Sequence, residues 1–172
     1  VDRFEGAVGE KIGEGEDMDA DHEDHARHAE NIDRPRLQAE QRAQEAVELA
    51  RVGAKVILAC RNTDKGAAAA SGMTGNVEVR KLDLQDLASV RAFADGVDAV
   101  DVLVNNAGIM AVPYAQTVDG FESQIGTNHL GHFALTSLLL PFITGRVVTV
   151  SSNAHARGRL DLDDLQWQRR PY

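Results

Sequence analysis

Four short apolar runs, separated by helix-like stretches, constrain this chain more than any other feature: Lys55 to Cys60 (KVILAC), Val77 to Leu82, Val100 to Val104 and Arg146 to Ser151 (RVVTVS). Each has strand length, too short for a membrane span or an independent helix. Between them the sequence predicts an alanine-rich helix over 63–72, a second from about Leu87 to Phe93 with Asp86 as its cap, and a long one from about Asp119 to Phe142, set off from the last strand by Gly145. Ahead of the first run, Ala43, Ala46, Val47, Leu49 and Ala50 fall on helical spacing from Gln41, with the helix ending near Val52 and Gly53 just beyond as a stop. Strand and helix in strict alternation force parallel pairing through crossover helices. The expected fold is therefore α/β, a doubly wound parallel sheet of Rossmann-like type but incomplete, occupying residues 37–172. The unbroken KVILAC run reads as a strand buried on both faces. Ligands in such sheets collect at the carboxyl ends of the strands.

Residues 1–36 read differently, as a disordered or poorly ordered acidic leader. The first 33 hold 12 Asp and Glu against Arg3, Lys11 and Arg27, which accounts for the whole formal charge of −9. The body is balanced, so there is no basic face of the kind that nucleic acid or an anionic membrane requires, and neither is expected as a partner. Asp17, Asp19 and Asp21 imitate the start of a calcium loop, but His22 stands where glycine is needed and His28 where glutamate is needed. His22, His25 and His28 read as solvated, because nothing nearby would hold them on one helical face. No metal is expected. Cys60 cannot form an internal disulfide, no stretch approaches about 20 apolar residues, and the leader is too acidic for a signal peptide, which together suggest a cytoplasmic protein.

The chemistry-bearing residues stand at the strand ends. Asn105-Asn106-Ala107-Gly108 directly follows Val100 to Val104, where small residues let a backbone approach a ligand. Arg61 lies one residue past Cys60; an acidic group there would bind a free ribose 2'-hydroxyl, whereas a guanidinium pairs with a 2'-phosphate. Asp83 lies in Leu82-Asp83-Leu84 after the second strand, and Ser151-Ser152 closes the fourth. No G-x-S-x-G elbow surrounds Ser152, so it is not read as a hydrolase nucleophile despite the nearby His155. His129 and His132, in Thr127-Asn128-His129-Leu130-Gly131-His132-Phe133, read as packed and hydrogen-bonded rather than metal-ligating.

Taken in order, these motifs resemble the short-chain dehydrogenase/reductase family, in particular its retinol-dehydrogenase-like members, over about 125 residues. The resemblance implies an NAD(P)-dependent oxidoreductase that moves a hydride between nicotinamide and a small-molecule alcohol or carbonyl substrate. It implies NADP, with NAD less favoured, held by Arg61, by Asp83 and Leu84 at the adenine edge, and by Asn105, Ala107 and Gly108 beside the adenosine ribose. It further implies catalytic roles for Ser152, which would orient the substrate oxygen, and Asn128, a structural and proton-relay group. A homo-oligomer packed through the long helix is possible on the same ground.

Two family motifs do not match. The glycine-rich phosphate loop should fall on Pro35-Arg36-Leu37-Gln38-Ala39-Glu40-Gln41-Arg42, an octet without glycine, and no apolar strand precedes it in Asp21 to Arg34. The Tyr-x-x-x-Lys pair is not found in the 172 residues, Tyr172 being the last. The expectation is thus of an oxidoreductase chain that is inactive as it stands, the alternative being a non-catalytic remnant or interaction protein that keeps the dimer-packing helix. One hypothesis for the missing loop is a frameshift: a GC-rich codon choice for Ala-Asn-Ser-Gly-Leu-Gly, read two bases on, gives Glu-Gln-Arg-Ala-Arg, against Glu40-Gln41-Arg42-Ala43-Gln44 here. A gene sequence without an indel near codon 40 would refute it.

Overall fold

The computed structural model describes residues 44–169 and 171–172. The acidic leader, its aspartates and histidines, and the octet Pro35–Arg42 lie outside the described residues.

Helix α1 covers residues 44–51 and ends where the Gly53 and Ala54 amides turn back to the Ala50 and Leu49 carbonyls. Its Ala46 and Ala50, four apart on one face, are its buried residues. Strand β1 (Lys55–Cys60) follows, then α2 (Thr63–Ala70), whose N-cap Asn62 accepts the Lys65 amide. Strand β2 (Asn76–Lys81) leads to α3 (Leu87–Asp95), capped by Asp86, which accepts the Ala88 and Ser89 amides as its position before an apolar-periodic run predicts. Strand β3 (Val100–Asn105) precedes the long helix, α4. This begins with one α turn (Ser123–Ile125), widens into a π segment (Gly126–Gly131), and resumes as α helix (His132–Leu139). A short 3-10 turn (Leu140–Phe142) delivers the chain into β4 (Ile143–Thr149).

All strand pairs are parallel, as the alternation requires, but among the described residues they form two separate ladders, β1 with β2 and β3 with β4. That arrangement corrects the reading of β1. None of its residues is buried, and among the described residues it is paired along one edge alone, to β2. A continuous apolar run forecasts neighbours that this part of the chain does not itself supply. The core gathers instead where α3 and α4 meet the strands: Leu82, Leu84, Val90, Ala94, Val97, Leu135 and Leu139, with Phe93, Val100, Leu103, Ala134 and Ile143 packed against them.

Two boundaries also differ from expectation. Gly145 does not separate helix from strand; it lies inside β4, next to the irregularity between Val100 and Val102 in the ladder. A Cβ there would stand 2.4 Å from the Asp101 carbonyl oxygen, so glycine is present for close backbone approach. The long helix starts at Ser123 rather than Asp119, because the Asp119 carboxylate is engaged elsewhere, accepting the Leu87 amide at the start of α3.

Candidate cofactor site

The carboxyl ends of the strands present four turns. After β1, Arg61 is exposed; its carbonyl accepts the Lys81 ammonium at 2.6 Å, which ties the turn to the end of β2. Among the described residues no acidic side chain forms an ion pair with the Arg61 guanidinium.

After β2, Asp83 folds into a local turn: its Oδ1 accepts the Gln85 amide at 3.0 Å, while its own amide donates to Ser89 Oγ at 2.9 Å. Together the two bonds fix the turn at the strand end. Leu84 turns its side chain into the core. The long helix reaches this turn through Gly131, where a Cβ would come within 2.5 Å of the Leu84 carbonyl oxygen. Gln85 Nε2 donates to Thr127 Oγ1 at 2.9 Å and completes the joint.

After β3, Asn105 is buried and its carboxamide is committed inward, with Nδ2 against Thr136 Oγ1 at 2.9 Å and Oδ1 against His132 Nδ1 at 3.2 Å. Asn106 turns the other way, donating to the Glu45 carboxylate on α1 at 2.8 Å. Ala107 gives its carbonyl to His132 Nε2 at 2.8 Å. Asn128, in the π segment, grips Ile109 at both main-chain atoms, accepting its amide and donating to its carbonyl, each at 2.8 Å. The stretch through Gly108 is thus pinned from one side by the long helix.

After β4, Ser151 and Ser152 leave the sheet exposed, and the Ser152 carbonyl accepts the His155 amide at 3.2 Å. Asn105 and Ser152 are brought to the same end of one sheet, since Asn105 lies opposite Thr149 in the register and the Val150 amide donates to the Asn105 carbonyl. Arg61 and Asp83 sit at the matching end of the other ladder, where Cys60 is opposite Lys81.

Sequence reasoning missed a second cluster. Glu122, buried, caps the long helix by accepting the Gln124 and Ile125 amides at 2.7 and 2.8 Å, and its carboxylate also receives the Tyr172 hydroxyl at 2.8 Å. Burial pushes this carboxyl up, but the Gln124, Ile125, Tyr172 and Ser123 bonds outweigh it and hold the group below its ordinary range. Burial and the Glu122 carboxylate push Tyr172 the other way, upward. Trp167 and Tyr114 meet the Tyr172 ring edge-on at 5.7 and 5.4 Å, and Gln166 Oε1 accepts the Glu122 amide at 2.6 Å. The available signal was thin: Gln166, Trp167 and Tyr172 fall close together in a loop, but Tyr114 and Glu122 lie some way back in the sequence.

Parallel strands alternating with helices, with an Asn-Asn-Ala-Gly turn after β3 and an Asp-Leu turn after β2, make this a Rossmann-like α/β fold. A family model for short chain dehydrogenases matches residues 43–161, and the chain belongs to that family, whose members are NAD(P)-dependent oxidoreductases. Within it the chain falls in the retinol-dehydrogenase-like branch. It is 48% identical over 142 residues to human retinol dehydrogenase 13, covering 75% of this chain and 43% of that protein. Human retinol dehydrogenase 11 is 51% identical over 137 residues, with 72% and 43% covered. The chain therefore spans less than half the length of these relatives. Among solved structures, an uncharacterized protein from Mycobacterium paratuberculosis is 72% identical, with TM-score 0.74, over 76% of this chain and 48% of that one. A metagenomic short-chain oxidoreductase in complex with NADP is 29% identical, with TM-score 0.53, over 64% and 56%. Among the described residues no helix is long and apolar enough to cross a membrane.

Proposed function

We propose that this chain supplies the adenosine side of an NADP(H) site in an oxidoreductase acting on a small-molecule alcohol or carbonyl, and that the 172 residues alone do not complete hydride transfer. The observation that carries the reading is Arg61. Its guanidinium stands exposed one residue beyond β1, without an acidic ion-pair partner among the described residues, where a ribose 2'-substituent is recognised in folds of this kind. A 2'-phosphate offers a guanidinium charge-assisted, two-pronged bonding; a bare hydroxyl offers far less. The relative solved with NADP favours the same cofactor.

Asp83 and the Leu84 main chain would meet the adenine edge, and the turn from Asn105 to Gly108 would flank the ribose. When bound, the cofactor supplies or accepts the hydride. Of the two residues assigned to catalysis, Ser152 is exposed just beyond β4, on the side where a substrate oxygen would approach. The Asn128 side chain is taken up by Ile109, so any role it has in the chemistry runs through its main chain or through the loop it holds. The glycine-free octet 35–42 has no means of letting a backbone close on a pyrophosphate, which argues for weak binding.

Titration of the chain with NADPH and NADH tests the reading. NADPH should bind more tightly, and Arg61→Asp should reverse the order. A tighter NADH, or no change in the variant, would count against it.

A further inference from the structure

Three side chains of the long helix, spaced four residues apart, hold three alternate residues of the segment after β3. Asn128 takes the Ile109 main chain, His132 the Ala107 carbonyl, and Thr136 the carboxamide of Asn105, the last residue of β3 itself. The spacings match physically. Four residues of helix rise about 6 Å, and two residues of extended chain span about 6.6 Å, so an antiparallel helix and extended segment stay in step over this length.

His132 is the middle tie and the only one that touches two of the three levels, through Nε2 to Ala107 and Nδ1 to Asn105. A carbonyl can only accept, so Nε2 must carry a proton. Nδ1 faces the Asn105 carboxamide, so the one ring joins Asn105 to Ala107 whichever way that amide is turned.

We propose that His132 is a positioning residue whose Nε2–H sets the height of the Asn105–Gly108 turn against the cofactor's adenosine. Its link to the cofactor rests on the function proposed above; the tie itself does not. Nitrogen-15 NMR of the ring in the unmodified chain reads the tautomer, and amide exchange at Ile109 reads the turn. The expected result is a protonated Nε2. His132→Phe should speed Ile109 exchange roughly three- to tenfold, and His132→Gln, which restores a donor at the Nε2 position, should recover most of that protection. An Nδ1–H tautomer, an averaged ring, or equal exchange in Phe and Gln variants that both fold would overturn the proposal. Failure of the unmodified chain to bind NADPH, with the ring signature and the Phe–Gln difference intact, would refute the cofactor reading and support the tie.

Discussion

The Tyr172 hydroxyl donates to the Glu122 carboxylate at 2.8 Å, so residues fifty apart in sequence meet at the first turn of the long helix. One carboxylate there serves as helix cap, as acceptor for the loop, and as neighbour to an aromatic cluster.

Because Glu122 titrates below its ordinary range in the folded chain, its contribution is present above the unfolded value of about 4.3 and is lost as pH falls through the lower folded value. Glu122→Ala should cost about 1–2 kcal/mol near neutrality. The gap between the parent chain and this variant should close in acid. Urea unfolding at about pH 7 and about pH 3 measures both. A gap that persists in acid would assign the loss to packing rather than to the charged cap.

Gly131→Ala should loosen the joint between the long helix and the Asp83–Leu84 turn. The added methyl meets main-chain oxygen at 2.5 Å, not the end of a flexible side chain, so backbone has to move. A loss of about 1–3 kcal/mol is expected, with Leu84 and Leu135 resonances shifting together. An unchanged unfolding midpoint would show that the helix can retreat freely.

Asn128→Asp keeps an acceptor for the Ile109 amide and replaces the donor to its carbonyl with a second oxygen. Main-chain amide exchange at Ile109 should speed, and stability should fall by about 1–3 kcal/mol. Asn128→Ala removes both bonds without the repulsion and should cost less than the aspartate if oxygen–oxygen contact is the cause.

Dehydrogenase turnover should be undetectable in the chain as it stands, with NADPH and a panel of aldehydes. A positioned acid–base group contributes about 10²- to 10⁴-fold, and neither Ser152 nor Asn128 replaces one. Grafting a Thr-Gly-x-x-x-Gly-x-Gly strand-loop ahead of Ala46 and a family carboxyl-terminal segment after Tyr172 should restore it. Turnover in the ungrafted chain would contradict the proposal, and a soluble but inert graft would count against the function.

The strands were legible because their apolar runs are short and end in turn residues, and α3 because Asp86 precedes a periodic face. The burial of β1 was not, since a run of apolar residues records the neighbours a strand is built for and not those present. The start of the long helix was misplaced for a chemical reason. Asp119 is the better cap by residue type, but tertiary folding spends it on α3 and leaves the task to Glu122, a residue seldom found as an N-cap. The strand-end turns could be located from sequence, yet nothing local told that the Asn105 carboxamide faces inward while Asn106 reaches α1. Those directions are set by His132, Thr136 and Glu45, 27, 31 and 61 residues away.

The π segment Gly126–Gly131 works as a phase shifter in a single rod. A π turn holds the equivalent of one inserted residue within an α helix. Upstream of it the helix is keyed to Glu122, and downstream to Leu135 and Leu139 in the core. Winding the same six residues as plain α helix would instead over-rotate one half against the other by about 100°. Either the leucines would leave the core or Asn128 would swing away from Ile109. The loop through Ile109 and the hydrophobic core are therefore registered to each other by the wider winding of this one segment.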